Sequence, residues 1–143
     1  MAILLKRVYE KPAPADGARV LVDRLWPRGL TKRAAALHAW LKEVAPSHGL
    51  RRWFHARPRH WQMFRKRYLE ELRQPAAEQA LEQLYGLAAR RRRLTLVFAA
   101  RDPEQNNAAV LKQLLEGMRK PPSSSGAGAA ASQRARARAS RRS

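Results

Sequence analysis

The sequence predicts an α/β domain built on a small, largely parallel sheet with helices packed against it. Three observations carry that expectation. Short apolar runs with strand character alternate along the chain with longer segments of helical spacing, the pattern of layered α/β domains. The run Leu94–Ala100, LTLVFAA, is apolar almost throughout, as a strand covered on both faces must be. And the composition changes abruptly at Pro121, after which no large apolar residue follows. The domain is therefore expected over residues 1–120, with a disordered Arg/Ala/Ser-rich tail over 121–143.

The elements follow in order. Residues 2–9, AILLKRVY, read as a first strand with its apolar part leading. KPAPADGA, residues 11–18, is turn-forming, with two prolines and Asp16-Gly17. Residues 19–25 carry Val20, Leu21, Val22 and Leu25 and read as the second strand. The connection is too short for a crossover helix, which leaves a hairpin or adjacent strands joined in an unusual way. Pro27 and Gly29 break the strand, and Thr31 is placed to cap a helix over residues 32–45. In that stretch Ala36, Leu37, Trp40, Leu41 and Val44 recur at helical spacing before Pro46 stops it.

A short helical turn is expected around Leu50–Phe54. A helix opening at Pro58 and running to Arg73 would place Trp61, Phe64, Tyr68 and Leu72 on one face. After Pro75 a further helix carries Ala80, Leu81, Leu84 and Leu87, and Arg90–Arg93 close it, where cations oppose the negative end of the dipole. Past the third strand, a last helix carries Val110, Leu111, Leu114, Leu115 and Met118. Three strands are few for a sheet, so a fourth is to be looked for, or a partner covering an edge. Trp40, Trp53 and Trp61 are expected to pack as core; Trp26, between charged residues and Pro27, suits either packing or a pocket wall.

Composition removes several function classes. There is no cysteine, so no disulfide, thiolate nucleophile or cysteine-ligated metal. No apolar run approaches the roughly 20 residues that a membrane-spanning helix needs. Lys6 and Arg7 cut short the N-terminal apolar run, so no signal peptide is expected and a cytoplasmic location is the default. His38, His48, His55 and His60 do not show the spacing of a helical metal pair, and no metal or cofactor is expected; nor is there a Walker-type or GxGxxG loop. The net charge is +19, with five arginines and no acid after Pro121, so the domain is basic by itself. Such a chain attracts polyanions in a salt-dependent way. Arg51, Arg52, Arg57, Arg59, Arg65, Lys66 and Arg67, with the tail, could contact nucleic acid non-specifically but form no base-reading motif.

Open α/β sheets bind ligands at the carboxyl ends of their strands. Here two strand ends carry acid–arginine pairs: Asp23-Arg24, with Trp26 and Arg28 beyond, and Arg101-Asp102. As parallel neighbours they would share one rim. Asp102 would cap the last helix, with Pro103 in its first turn and Gln105 at the reciprocal position of a capping box. Arg24, Arg28 and Arg101 beside that helix start would hold a phosphate or carboxylate. The same groups also suit structural ion pairs and an ordinary cap. Asp23 is expected to have its pKa lowered by the arginines, which makes it a poor base and favours binding over proton transfer. His55 is an acid/base candidate only if its loop folds over the rim.

The blocks KRVY, DGARVLVDRLWPRG, WLKEVAPS, LRRWF, WQMFRKRYLEEL and TLVFAARDPEQNNAAVL occur in that order over about residues 3–116. In them the chain resembles the YeaO-like bacterial family, a domain of unknown function. The resemblance implies one compact α/β domain, three-layered and Rossmann-like, and no agreed activity. It also implies where the family's polar positions fall. Members of the wider grouping carry a Cys-His-Arg signature where this chain has Asn106-Asn107-Ala108, and YeaO-like members often have Asn-His-Ala. Relatives often carry His-Asp-Pro at Ala56-Arg57-Pro58. Asp23, Arg24, Arg28, Arg101 and Asp102 remain as the chemically capable set, with Asn106 and Asn107 as hydrogen-bonding candidates.

Overall fold

A computed structural model describes residues 2–118. The tail 121–143 lies outside them. The sheet has four strands, all parallel: β1 (Ala2–Arg7), β2 (Ala18–Leu21), β3 (Ala39–Trp40) and β4 (Arg93–Phe98), in the spatial order β1-β4-β2-β3. The apolar run at 94–98 occupies the interior position, paired with β1 on one side and β2 on the other, and Leu94 to Phe98 are all buried. That position is why its sequence is continuous and does not alternate.

The first two strands are neither a hairpin nor neighbours. They run parallel with β4 between them, joined by residues 8–17, which hold a single 3-10 turn, Pro14–Asp16. Gly17 makes the turn feasible. Its φ is +63°, and a Cβ there would stand 2.3 Å from the carbonyl oxygen of Arg93.

The largest difference from the sequence pattern is at 32–45. A full helix is expected there, but α1 is one turn, Lys32–Ala35, capped by the Thr31 hydroxyl as its sequence suggests. Ala36 then adopts a left-handed conformation (φ 50°), and the chain runs on into β3 and a second 3-10 turn, Lys42–Val44. This supplies the missing fourth strand. His38 N–H bonds to the Arg19 carbonyl at 2.7 Å and Leu41 N–H to that of Leu21 at 3.0 Å, so the open edge of β2 claims backbone groups that a helix would have used internally.

The remaining helices are α2 (His48–Ala56), α3 (Trp61–Glu71), α4 (Pro75–Arg90) and α5 (Asn107–Gly117). Pro58 lies in the connection before α3, which opens at Trp61. Strand alternation sorts the core onto two faces. Ile3, Val20, Val22, Leu94, Leu96 and Phe98 face the cluster filled by α2–α5, including Phe64, Tyr68, Leu84, Leu111 and Leu115. Leu21 and Val97 face the thinner layer made by Ala35, Trp26, Leu30, Leu37 and Trp40. Trp40, expected on a helix, is therefore a strand residue of the thin layer, and Trp53 and Trp61 pack on the rim of the main cluster. None of the helices among the described residues is long and apolar enough to cross a membrane.

Candidate functional site

Because all four strands are parallel, their carboxyl ends share one edge, and the two expected strand ends do meet there. Asp23 follows β2. Its Oδ2 accepts from the backbone N–H of Ala99 at 2.8 Å, just past β4, and its Oδ1 accepts from Asn107 Nδ2 at 3.1 Å. Asn107 Nδ2 also donates to the Val22 carbonyl at 2.9 Å. One amide at the first turn of α5 thus ties the helix start to the ends of two strands. The Trp40 indole N–H donates to the Asp23 carbonyl at 2.7 Å and completes the support.

The environment of Asp23 reverses the expected electrostatics. Burial pushes its pKa up, and the hydrogen bonds from Ala99 and Asn107 with the more distant charge of Arg51 offset only part of that. The neighbouring arginine does not pair with it. Arg24 donates to the carbonyls of Ala45 (Nη2, 2.9 Å) and Pro46 (Nε, 3.4 Å), and so anchors the segment before α2. Adjacent residues leave a strand on opposite sides, so an Asp-Arg dipeptide is poorly placed to pair with itself.

Asp102 does not cap α5. The helix opens five residues later, at Asn107, with Asn106 as its cap: the side-chain oxygen of Asn106 accepts from Ala109 N–H at 2.8 Å. Asp102 instead accepts from the N–H groups of Glu104 (2.8 Å) and Gln105 (3.0 Å), which close a local turn and hold its carboxyl below the usual value. The proline and the glutamine lie in that turn; Asn106 is buried and Nδ2 bonded to the Asp102 carbonyl at 2.9 Å. Arg101 and Arg28 are exposed, and neither forms an ion pair among the described residues. The Trp26 indole N–H donates to the Leu30 carbonyl at 2.6 Å and its ring meets Trp40 edge-on at 5.4 Å, which makes it a packing residue of the thin layer. His55 is exposed on the last turn of α2.

Two rim residues were not legible as such. Arg7, at the end of β1, donates to the carbonyls of Ala99 (3.1 Å) and Ala100 (3.0 Å). The Tyr9 hydroxyl donates to the carbonyl of Arg28 at 3.1 Å. The signal for both was position: Arg7 ends β1 and Tyr9 lies two residues beyond it, on the same edge as Asp23 and Ala99.

Fold and rim together define a compact, all-parallel α/β domain whose strand-end carboxylate is held by neutral donors. The comparisons place it further. Residues 2–133 match the family described as the inactive DUF488-N3 subclade, and the chain belongs to that family. It is 45% identical over 115 residues to an uncharacterised protein of Mycobacterium tuberculosis, covering 80% of this chain and 94% of that one. It is 43% identical over 118 residues to the uncharacterised protein YeaO of Escherichia coli, covering 82% of this chain and all of that protein. No solved structure matches the chain.

Proposed function

We propose that this chain is a non-catalytic binding protein that takes up a small phosphate- or carboxylate-bearing ligand at the carboxyl-end rim of its sheet. The observation that carries the reading is the state of Asp23. Both of its oxygens accept fixed hydrogen bonds, from Ala99 N–H and Asn107 Nδ2, so the rim's carboxylate works as a structural acceptor and not as a free base. The family's description as inactive points the same way. Arg28 and Arg101, exposed beyond β2 and β4, are the cations open to an anion, while Arg24 shapes the rim from beneath. Asp102, Asn106 and Asn107 set the loop between β4 and α5 and act on the ligand through its shape.

The test is thermal-shift screening of anionic metabolites at fixed ionic strength. A ligand at 100 times its Kd adds about 2.7 kcal/mol. Arg101→Ala should remove the shift and Arg28→Ala weaken it; hits unaffected by both changes would end the proposal. A second reading, a non-specific nucleic-acid module, is favoured by the exposed Arg51, Arg52, Arg57, Arg59, Lys66 and Arg67 on α2, α3 and their connection. Its signature would be oligonucleotide affinity that falls steeply with salt and is indifferent to Arg101→Ala.

A further inference from the structure

A basic hollow lies at the opposite end of the strands, away from the rim. It encloses about 430 Å³, within the range of small-molecule sites, and is lined by the start of β2 (Gly17 to Arg19), the segment Ala36 to His38, and Arg91 to Arg93, where α4 runs into β4. Its geometry is fixed by the close approach of Gly17 to Arg93 and by the Thr95 hydroxyl, which donates to the Asp16 carbonyl at 2.6 Å.

Arg19 is the unusual member. It is a charged residue in a strand whose four positions are all buried, and it is only 3% exposed. Its Nε donates to the Ala35 carbonyl and its Nη1 to Asp16 Oδ2, each at 2.9 Å. Its Nη2 is buried with no hydrogen-bond partner among the described residues. Buried guanidinium donors are normally satisfied, so an orphan in a cavity-lining residue points to an absent acceptor.

The surrounding charge has the same sign. Arg91, Arg92 and Arg93 are exposed around the hollow, and Arg91 Nη2 lies 3.4 Å from the His38 ring nitrogens. Among the described residues the one carboxylate bonded to this cluster, Asp16, is already shared between Arg19 (2.9 Å) and Lys6 (3.1 Å). The end of α4 rationalises some of this, since a helix C-terminus carries about half a negative charge. Four guanidiniums and a lysine exceed what that dipole and one carboxylate balance.

We propose that this hollow binds a phosphate-bearing small molecule. Arg91–Arg93 would grip the phosphate oxygens as forks, and Arg19 would form the positive floor beneath them. Several guanidiniums lining one hollow suit a dianion with three acceptor oxygens better than a single carboxylate, which one fork satisfies. A concave site also fits a small ligand better than a nucleic-acid backbone, which needs an extended track. The proposal is independent of the rim reading.

Calorimetric titration of the full chain with inorganic phosphate, at fixed ionic strength, tests it. Arg92 is exposed, so Arg92→Ala leaves the fold intact and should weaken binding at least about tenfold, the loss of one charge-assisted hydrogen bond. Arg52→Ala removes the same charge from α2 and should change affinity by less than about twofold. Absence of phosphate binding overturns the proposal, and so does an Arg52→Ala loss equal to that of Arg92→Ala, which would reduce the effect to net charge. A loss confined to Arg101→Ala would move the anion to the rim. If single-stranded DNA displaces phosphate from the wild type but not from Arg92→Ala, the occupant is nucleic acid and the small-molecule assignment falls.

Discussion

Asp16 and Asp23 mark opposite ends of the same strand and have opposite fates. Asp16, just before β2, accepts from two cations, Lys6 and Arg19, and from the Ala13 N–H at 3.0 Å. Burial raises its pKa, but those three partners outweigh burial and leave it lowered. Asp23, just after β2, accepts only from neutral donors, and burial wins. The carboxylate that looked paired in sequence, beside Arg24, is not; the one that looked like turn chemistry, in PADG, carries the charge network. Adjacency in sequence decides little about pairing, because partners come from other strands.

That contrast can be broken most severely at Asp16. Asp16→Ala should cost about 3 kcal/mol, since it strands the buried Arg19 charge. Urea denaturation reads it directly, and a loss below about 1 kcal/mol would mean that Arg19 finds another acceptor. Asn107→Ala comes next, at about 1.5 kcal/mol, because two acceptors at the other end lose their donor. It should also push the Asp23 pKa further up, measurable by carboxyl NMR titration.

The smallest effect is the most diagnostic. Asp16 contributes stability that is present above the ordinary value of 3.8 and is lost as pH falls through its lowered pKa. Asp23 has the opposite sign. Between 3.8 and its raised pKa the folded chain binds more protons than the unfolded one, so stability falls as pH rises through that window. The melting temperature of the wild type minus that of Asp23→Asn should therefore decline as pH rises from the ordinary value of 3.8 through the raised pKa of Asp23. A rising difference would mean that Asp23 is paired with a cation after all.

The sequence showed the fold most clearly where burial was complete on both faces. Leu94–Phe98 reads as an interior strand because nothing polar but Thr95 interrupts it, and the helical faces of α3, α4 and α5 follow their apolar spacing. It misled at 32–45, where Ala36, Leu37, Trp40 and Val44 keep a helical period while the unpaired edge of β2 draws the backbone into β3. At the rim, the strand ends were legible but the hydrogen bonds were not. Asp102 carries the sequence signature of a helix cap and is spent on a local turn, whereas Asn106 caps in its place. Arg19 was hidden in plain alternation, since its parity with Leu21 puts it on an interior face.

The spatial order β1-β4-β2-β3 also sets a timetable for synthesis. β1 and β2 leave the ribosome early but do not touch, and the strand that joins them begins at Arg93. Until then β1 has no sheet partner, and β2 has only the two residues of β3. The amino-terminal two-thirds of the chain must stay unassembled while α2, α3 and α4 are made, so the sheet closes late, on contacts of long sequence separation. A nascent chain of this protein is therefore expected to expose β-forming apolar segments for most of its synthesis, and to acquire its protease resistance in a single step once β4 and α5 have emerged.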